Sequence, residues 1–147
     1  MATAINPGEQ VFLDTSYALA LSASTDQFHD RALHLATDLE AARARLVTTR
    51  AVLLEIGNAL SRQRYRAAAV SLLQALEADP CVEVLPLSDE LYSLALELYC
   101  SRPDKEWGLI DCASFVVMSE RAMTKALTAD EHFQQSGFRA LLREAND

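Results

Sequence analysis

The sequence predicts an α/β fold, arranged as an α/β/α sandwich around a mostly parallel sheet of short strands. Short apolar or β-branched segments alternate with longer segments of helical spacing. Half of the 147 residues are apolar, while Gly and Pro number four each, so the chain can bury a substantial core. This length suits one domain. We expect a flexible lead over residues 1–9 and a single domain over residues 10–147.

Five segments are predicted to be strands because they are short, apolar or β-branched, and bounded by helix or turn signals. The first, VFLD, and the fourth, KALTAD, each end on an acid. The third, CVEVLPL, contains Pro86, which favours the edge or the end of a sheet. FRALL is the weakest of the five. The predicted strands cover residues 11–14, 46–49, 81–87, 125–130 and 138–142.

The first half of the chain predicts helices between these strands. A helix follows the first strand, and Asp26 is expected to cap a second one. A long helical tract follows the second strand, and Pro80 should end it. We expect this tract to break near residues 63–66, which would give an antiparallel pair of helices.

The second half predicts two more helices. Ser88 is a suitable N-cap for a helix over residues 89–101, and residues 102–108 are polar and predicted to form a loop. The next helix contains LIDCASFVVM and is apolar nearly all round. It should therefore be central and buried.

The composition restricts the functional class. Acidic residues number 21 and basic residues 13, and this net charge of −8 argues against a general nucleic-acid binder with a basic face. A bound cation would weaken that argument, because it reverses the local charge. The three widely spaced cysteines fit neither a disulfide framework nor a zinc motif. Neither a signal peptide nor a membrane span is apparent, so we expect a cytoplasmic protein.

Four acids lie in apolar surroundings: Asp14, Glu55, Asp111 and Asp130. A lone carboxylate in such surroundings carries a large desolvation cost, which a helix cap, an ion pair or a bound cation can relieve. Taken singly, Asp111 suits an N-cap and Asp130 a turn. Taken together, the parallel topology should direct all four to the carboxyl edge of the sheet, where ligands bind in such folds.

Four converging carboxylates without soft ligands suit Mg²⁺ or Mn²⁺. Such a site can activate a water and stabilise the leaving oxygen of a phosphodiester. A phosphatase or phosphotransfer domain is the alternative, and it needs a nucleophilic Asp beside a second acid and a Lys. The D-x-D pattern of the haloacid dehalogenases is absent, since Thr15 and Ser16 follow Asp14.

Four segments carry a resemblance to a known family: FLDTSYALAL, LLEIGNAL, WGLIDCASFVVM and ALTADEHFQQSGF. They resemble the PIN-domain family, and within it the VapC-type toxins, over nearly the whole chain. The resemblance implies a Mg²⁺- or Mn²⁺-dependent endoribonuclease that uses water as the nucleophile. It also implies the toxin of a type II toxin–antitoxin pair, with RNA as substrate, an antitoxin as partner, and a homodimer. A PIN-fold binding module without turnover is a second alternative, against which the intact acid set argues.

The resemblance also implies roles for particular residues. The four acids would be the metal-binding and catalytic carboxylates, although which of Glu55 and Asp111 orients the water stays open. Ser16 and Thr128 match hydroxyl positions that support the acids, and Asn58 lies one helical turn after Glu55. Related sequences often have Thr or Ser where this chain has Ile110. Asp104, near the third motif, is a candidate peripheral acid.

The remaining candidates each have a structural alternative. Arg62, Arg64 and Arg66 could hold RNA phosphates or an acidic segment of a partner, or they could lie at a solvated helix junction. Trp107 could stack on a base or pack beside the site loop. His132 could contact substrate or a second metal, or serve structurally at the strand exit. We also expect part of the apolar surface of the helices over residues 53–76 and 89–101 to face a second copy or an antitoxin.

Overall fold

The computed structural model describes residues 5–145 and contains a five-stranded parallel sheet flanked by helices. The order across the sheet is β3-β2-β1-β4-β5, and every neighbouring pair is parallel. This arrangement confirms the predicted fold class. The strands are β1 (Gln10–Leu13), β2 (Arg45–Thr49), β3 (Val82–Leu85), β4 (Lys125–Leu127) and β5 (Arg139–Ala140).

The helices occupy the connections between the strands, as parallel pairing requires. Helix α1 packs on α2, α3 on α4, and α5 on α6. Most residues in the middle of α6 are buried, which confirms the predicted central position of this helix. The helices are α1 (Thr15–Ser22), α2 (His29–Ala42), α3 (Arg50–Ala59), α4 (Gln63–Ala78), α5 (Asp89–Ser101), α6 (Leu109–Glu120), α7 (Glu131–Gln135) and a short 3₁₀ helix, η1 (Leu141–Arg143).

The central strand β1 positions the site. Phe12 pairs with Val47 on one side and with Ala126 on the other, and all three are buried. Because the strands run in one direction, the residues that follow them collect at one edge of the sheet. Asp14 follows β1 directly at this edge. Thr49 ends β2 and accepts a hydrogen bond from the Val52 amide, which starts α3 without an intervening loop.

The predicted ends of the last two strands are wrong. β4 ends at Leu127 and not at Asp130, because two side chains turn the chain there. The Thr128 hydroxyl accepts a hydrogen bond from the Asp130 amide, and the Asp130 carboxylate accepts one from the His132 amide. Asp130 is thus the N-cap of α7, a helix that was not predicted. β5 covers only residues 139–140 and continues into η1.

Two helix starts also differ from the predictions. Asp26 does not cap α2; its carboxylate accepts from the Phe28 amide in the preceding turn. The break between α3 and α4 lies at residues 60–62, earlier than predicted, and the Arg66 guanidinium donates to the Ser61 carbonyl there. Ser88 caps α5 as predicted, accepting from the Leu91 amide at 3.1 Å.

The predicted lead over residues 1–9 lies partly outside the described residues, which begin at Ile5. Ile5 is buried in the core, and the Gly8 amide donates to the Ala42 carbonyl at 2.7 Å. The domain boundary at residue 10 stays a prediction. Among the described residues, no helix combines the length and apolar character that crossing a membrane would require.

Candidate active site

Asp14 is the most buried of the four predicted acids, with 5% of its surface exposed. The Thr128 hydroxyl donates to its Oδ2 at 2.8 Å, and the Ser16 hydroxyl donates to the same atom at 3.3 Å. Ser16 also accepts a hydrogen bond from the Ala129 amide. The two predicted supporting hydroxyls therefore contact Asp14 and join the start of α1 to the loop after β4.

The environment of Asp14 opposes its ionisation. The pKa of Asp14 is raised from 3.8 to about 6. Burial is the largest cause and the carboxylates of Glu55 and Asp111 contribute, while the hydrogen bonds from the Thr128 hydroxyl and the Thr15 amide act in the opposite direction. Two other predicted site acids are thus close enough for their charges to affect the pKa of Asp14. Such a carboxylate gains from any cation that enters the site.

Glu55 lies on α3 and is half-buried. The Thr15 hydroxyl donates to its Oε1 at 2.5 Å, across 40 residues of sequence. Thr15 was not among the predicted site residues. Its position directly after Asp14, as the first residue of α1, is the feature of the sequence that could have indicated it. Consecutive residues at the end of β1 thus contribute one acid and one hydroxyl that holds another acid.

Asp111 and Asp130 meet at His132. The His132 Nδ1 lies 3.1 Å from Asp111 Oδ2 and 3.4 Å from Asp130 Oδ1. One potential ligand atom from each of the three residues lies within 4.8 Å of the other two. Burial raises the pKa of Asp111, and the charge of Asp130 adds to this effect, whereas the hydrogen bond from His132 lowers it. The Asp111 Oδ2 also accepts from the Gly108 amide, so Asp111 helps to begin α6.

Within residues 5–145, no lysine or arginine forms an ion pair with these four acids. In the described part of the chain, the ion pairs of lysines and arginines involve other carboxylates. The ion-pair partner of Asp111 and Asp130 in this part of the chain is His132, whose charge depends on protonation. The donor set consists of carboxylate and hydroxyl oxygens with one imidazole. It therefore fits a hard divalent cation such as Mg²⁺ or Mn²⁺.

The other predicted contacts lie in varied environments. Asn58 is exposed and forms no hydrogen bond with the four acids among the described side chains. Asp104 is exposed and forms a bidentate pair with Arg102, which lowers its pKa to about 2. Trp107 is buried, packs edge-on against Phe115 and donates to Gln135, so the packing alternative is the one observed.

The three predicted arginines lie where α3 meets α4. All are exposed. The Arg64 guanidinium lies over the Tyr65 ring, and Arg66 binds the Ser61 carbonyl. Arg62 precedes the first residue of α4. These positions match the predicted helix junction, and their contact with RNA or with a partner stays a prediction.

Comparison with known proteins agrees with this architecture. The PIN domain family matches residues 11–138. The 23S rRNA-specific endonuclease VapC20 of Mycobacterium tuberculosis is 28% identical over 128 residues, in strain CDC 1551 / Oshkosh and in strain H37Rv, covering 87% of this chain and 95% of the relative. The crystal structure of M. tuberculosis VapC20, described as a sarcin–ricin loop cleaving toxin, superposes with a TM-score of 0.77. It is 27% identical and covers 88% of this chain and 97% of that one.

These similarities confirm the predicted class of protein, a ribonuclease of the VapC toxin type. The match extends from the second residue of β1 to the residue before β5, so it includes all four acids and the strands that position them. It covers far more than half of the sequence. The chain therefore belongs to the PIN-domain family.

Proposed function

We propose that this chain is a Mg²⁺- or Mn²⁺-dependent endoribonuclease and that Asp14, Glu55, Asp111 and Asp130 form its metal-binding active site. One observation carries the proposal. Four carboxylates gather at the carboxyl edge of the sheet. Among the described residues, every ion pair of a lysine or arginine involves a different acid. The mutual repulsion of these acids favours the binding of a cation.

A bound Mg²⁺ or Mn²⁺ would supply an activated water and charge stabilisation for a phosphodiester. The chain's own residues position the ligands for it. Thr128 and Ser16 hold Asp14 from one side, and Thr15 holds Glu55. Asp111 and Asp130 share the His132 imidazole between them. Either Glu55 or Asp111 orients the attacking water.

The proposed substrate is a structured RNA like the one named for the relative, the sarcin–ricin loop of 23S rRNA. The test is cleavage of a labelled stem–loop RNA carrying that sequence, with Mg²⁺, with Mn²⁺ and with EDTA. An unrelated stem–loop of equal length is the matched control. We expect metal-dependent cleavage at a defined position. Cleavage that persists in EDTA would contradict the metal-dependent mechanism.

The two alternatives predict different results in the same experiment. A phosphatase would hydrolyse a small phosphomonoester such as p-nitrophenyl phosphate and leave the RNA intact. A binding module would retain the RNA in a gel-shift assay without producing fragments. We expect neither pattern, since a terminal phosphomonoester offers no diester to the site.

We further propose that the protein forms a homodimer through α5. Tyr92, Leu96 and Tyr99 are 48%, 38% and 47% exposed, and their spacing places them on one face of that helix. Such a stripe of large apolar side chains is costly to leave in water. Sedimentation velocity should give a dimer that Leu96→Glu converts to a monomer. An unchanged sedimentation coefficient for this variant would exclude α5 as the interface.

The toxin assignment implies a cytoplasmic protein, because its RNA substrate is there, and a cognate antitoxin. We assign to that partner's acidic residues the exposed Arg62, Arg64 and Arg66, and to its apolar residues the exposed Leu54 of α3. A small neighbouring reading frame for a DNA-binding domain with a C-terminal tail should encode it. Co-expression of that product should relieve growth arrest, and failure to bind the chain would remove it as the antitoxin.

A further inference from the structure

We propose that Arg143 binds a phosphate of the RNA beside the four acids, an inference that rests on the proposed ribonuclease function. Arg143 is the last residue of η1 and is exposed. It was not among the predicted site residues. An acidic site that receives a polyanion needs a cation nearby to hold the substrate in register.

The position of Arg143 is defined by contacts with the active-site loop. Its Nε donates to the carbonyl of Ala129, the residue between Thr128 and Asp130. The Leu142 amide donates to the Thr128 carbonyl at 3.1 Å, and Arg31 Nε donates to the Leu141 carbonyl at 3.0 Å. Both ends of η1 are thereby attached to the fold. The Arg143 guanidinium is thus held next to the loop that carries two site residues.

The charge of Arg143 is not used by a neighbouring carboxylate. Among the described residues it forms no ion pair, and the adjacent Glu144 is occupied by a bidentate pair with Arg139. The Nε contact consumes one N–H donor and leaves the terminal nitrogens available. Two such donors match two phosphate oxygens in a bidentate contact. This combination of anchorage and unpaired charge indicates a phosphate ligand.

The test measures RNA binding in the Asp14→Asn background, which prevents cleavage during the titration. Fluorescence anisotropy with the labelled sarcin–ricin stem–loop would be recorded over a series of salt concentrations. Arg143→Gln should weaken binding about tenfold, as expected for the loss of one charged hydrogen-bonded contact. It should also reduce the slope of log K against log salt by about 0.7, the value for one phosphate contact on a single strand.

Two further variants separate phosphate binding from a structural role. Arg143→Lys keeps the charge but loses the planar fork, so it should retain the salt slope with an intermediate affinity. Arg43→Gln is the matched control, because Arg43 is also exposed but lies before β2, at the opposite edge of the sheet. It should leave both the affinity and the slope unchanged.

The outcomes distinguish the two proposals. If the Asp14→Asn parent binds the RNA and Arg143→Gln keeps its affinity and salt slope, Arg143 is not a phosphate ligand, although the ribonuclease proposal stands. The same conclusion follows if Arg43→Gln and Arg143→Gln weaken binding equally. If the parent binds neither this RNA nor the unrelated stem–loop, the proposed function and the Arg143 inference both fall.

Discussion

The two edges of the sheet contain carboxylates of similar exposure whose pKa values are shifted in opposite directions. Glu9, at the amino edge, has a side chain 20% exposed, and Asp111, at the carboxyl edge, has one 18% exposed. Burial alone would raise the pKa of both. Lys125 contacts Glu9 at 2.8 Å and reverses the shift, so the pKa of Glu9 is lowered. The pKa of Asp111 is raised, because its burial outweighs the hydrogen bond from His132 and because Asp130 adds a like charge.

This difference separates stability from function. Away from the site, Glu9 forms an ion pair with Lys125 at the amino edge, and Glu83 within β3 forms one with Arg121. At the carboxyl edge the charges of the neighbouring acids raise the pKa values of Asp14 and Asp111. Active sites commonly retain such unfavourable electrostatics, because the ligand supplies the missing charge.

The largest expected effect follows from removing the buried charge at the carboxyl edge. Asp14→Asn should lower the rate of RNA cleavage by about 10³-fold, since an amide is a poor ligand for a hard cation and the loss corresponds to several kcal/mol of barrier. Rates would be measured at equal concentrations of folded protein, checked by circular dichroism. A folded variant with wild-type cleavage would remove Asp14 from the site.

The second effect concerns the pH dependence of stability without metal. The pKa of Asp14 is raised from 3.8 to about 6 by folding, so its ionisation opposes folding. Below pH 3.8 Asp14 is protonated in both the folded and the unfolded state, so it does not lower the free energy of unfolding. As the pH rises through the folded pKa of about 6, the free energy of unfolding falls by about 3 kcal/mol in total. Asp14→Asn should lack this loss.

Urea unfolding in EDTA from about pH 4 to about pH 8 would test the second prediction. The free energies of unfolding of wild type and Asp14→Asn should diverge as pH rises, with the variant the more stable. Saturating Mn²⁺ should restore wild-type stability and release protons on binding. Parallel pH profiles for the two proteins would contradict the raised pKa.

The third prediction addresses the amino edge. Glu9→Gln should lower the free energy of unfolding by about 2 kcal/mol, because it leaves the buried Lys125 ammonium without its counter-charge. Cleavage by the folded fraction should stay unchanged. The pKa of Glu9 is lowered in the fold, so its contribution is present at neutral pH and disappears in acid. The wild-type and variant stabilities should therefore converge as pH falls, as measured by the same unfolding experiment.

A smaller effect is expected from the hydroxyl that supports Asp14. Thr128→Val keeps the shape but loses the hydrogen bond to Asp14 and the acceptor for the Asp130 amide. We expect about a tenfold loss of cleavage, equivalent to roughly one hydrogen bond. Thr37→Val, at an exposed position of α2, is the matched control and should cleave normally. Equal rates for both variants would show that Asp14 does not depend on Thr128.

The smallest effect is expected at Asp104, the candidate peripheral acid. Its charge is balanced by Arg102 in an exposed pair. Asp104→Asn should change cleavage by less than about twofold, because exposed pairs of this kind contribute little. A loss of cleavage comparable to that of Asp14→Asn would place Asp104 in the site. It would also show that an acid paired with an arginine can be as important for cleavage as an unpaired one.

Much of the fold was predictable because its signals are local. Short apolar or β-branched segments located all five strands, helical spacing located the main helices, and Ser88 marked the start of α5. The ends of β4 and β5 were not predictable in the same way. KALTAD is a plausible strand throughout, but Thr128 and Asp130 bind backbone amides and start α7. These side chains compete with the sheet for backbone amides at the turn after β4.

The sequence by itself determined which acids are candidates, since each is a charged residue in an apolar segment that parallel topology directs to one edge. Only the tertiary structure decided how each charge is balanced. Asp104 and Asp14 are both acids near family motifs, yet one meets Arg102 and the other meets Thr128, which is 114 residues away. Burial and long-range contacts set the pKa of a carboxylate, and these exist only once the strands have paired in register.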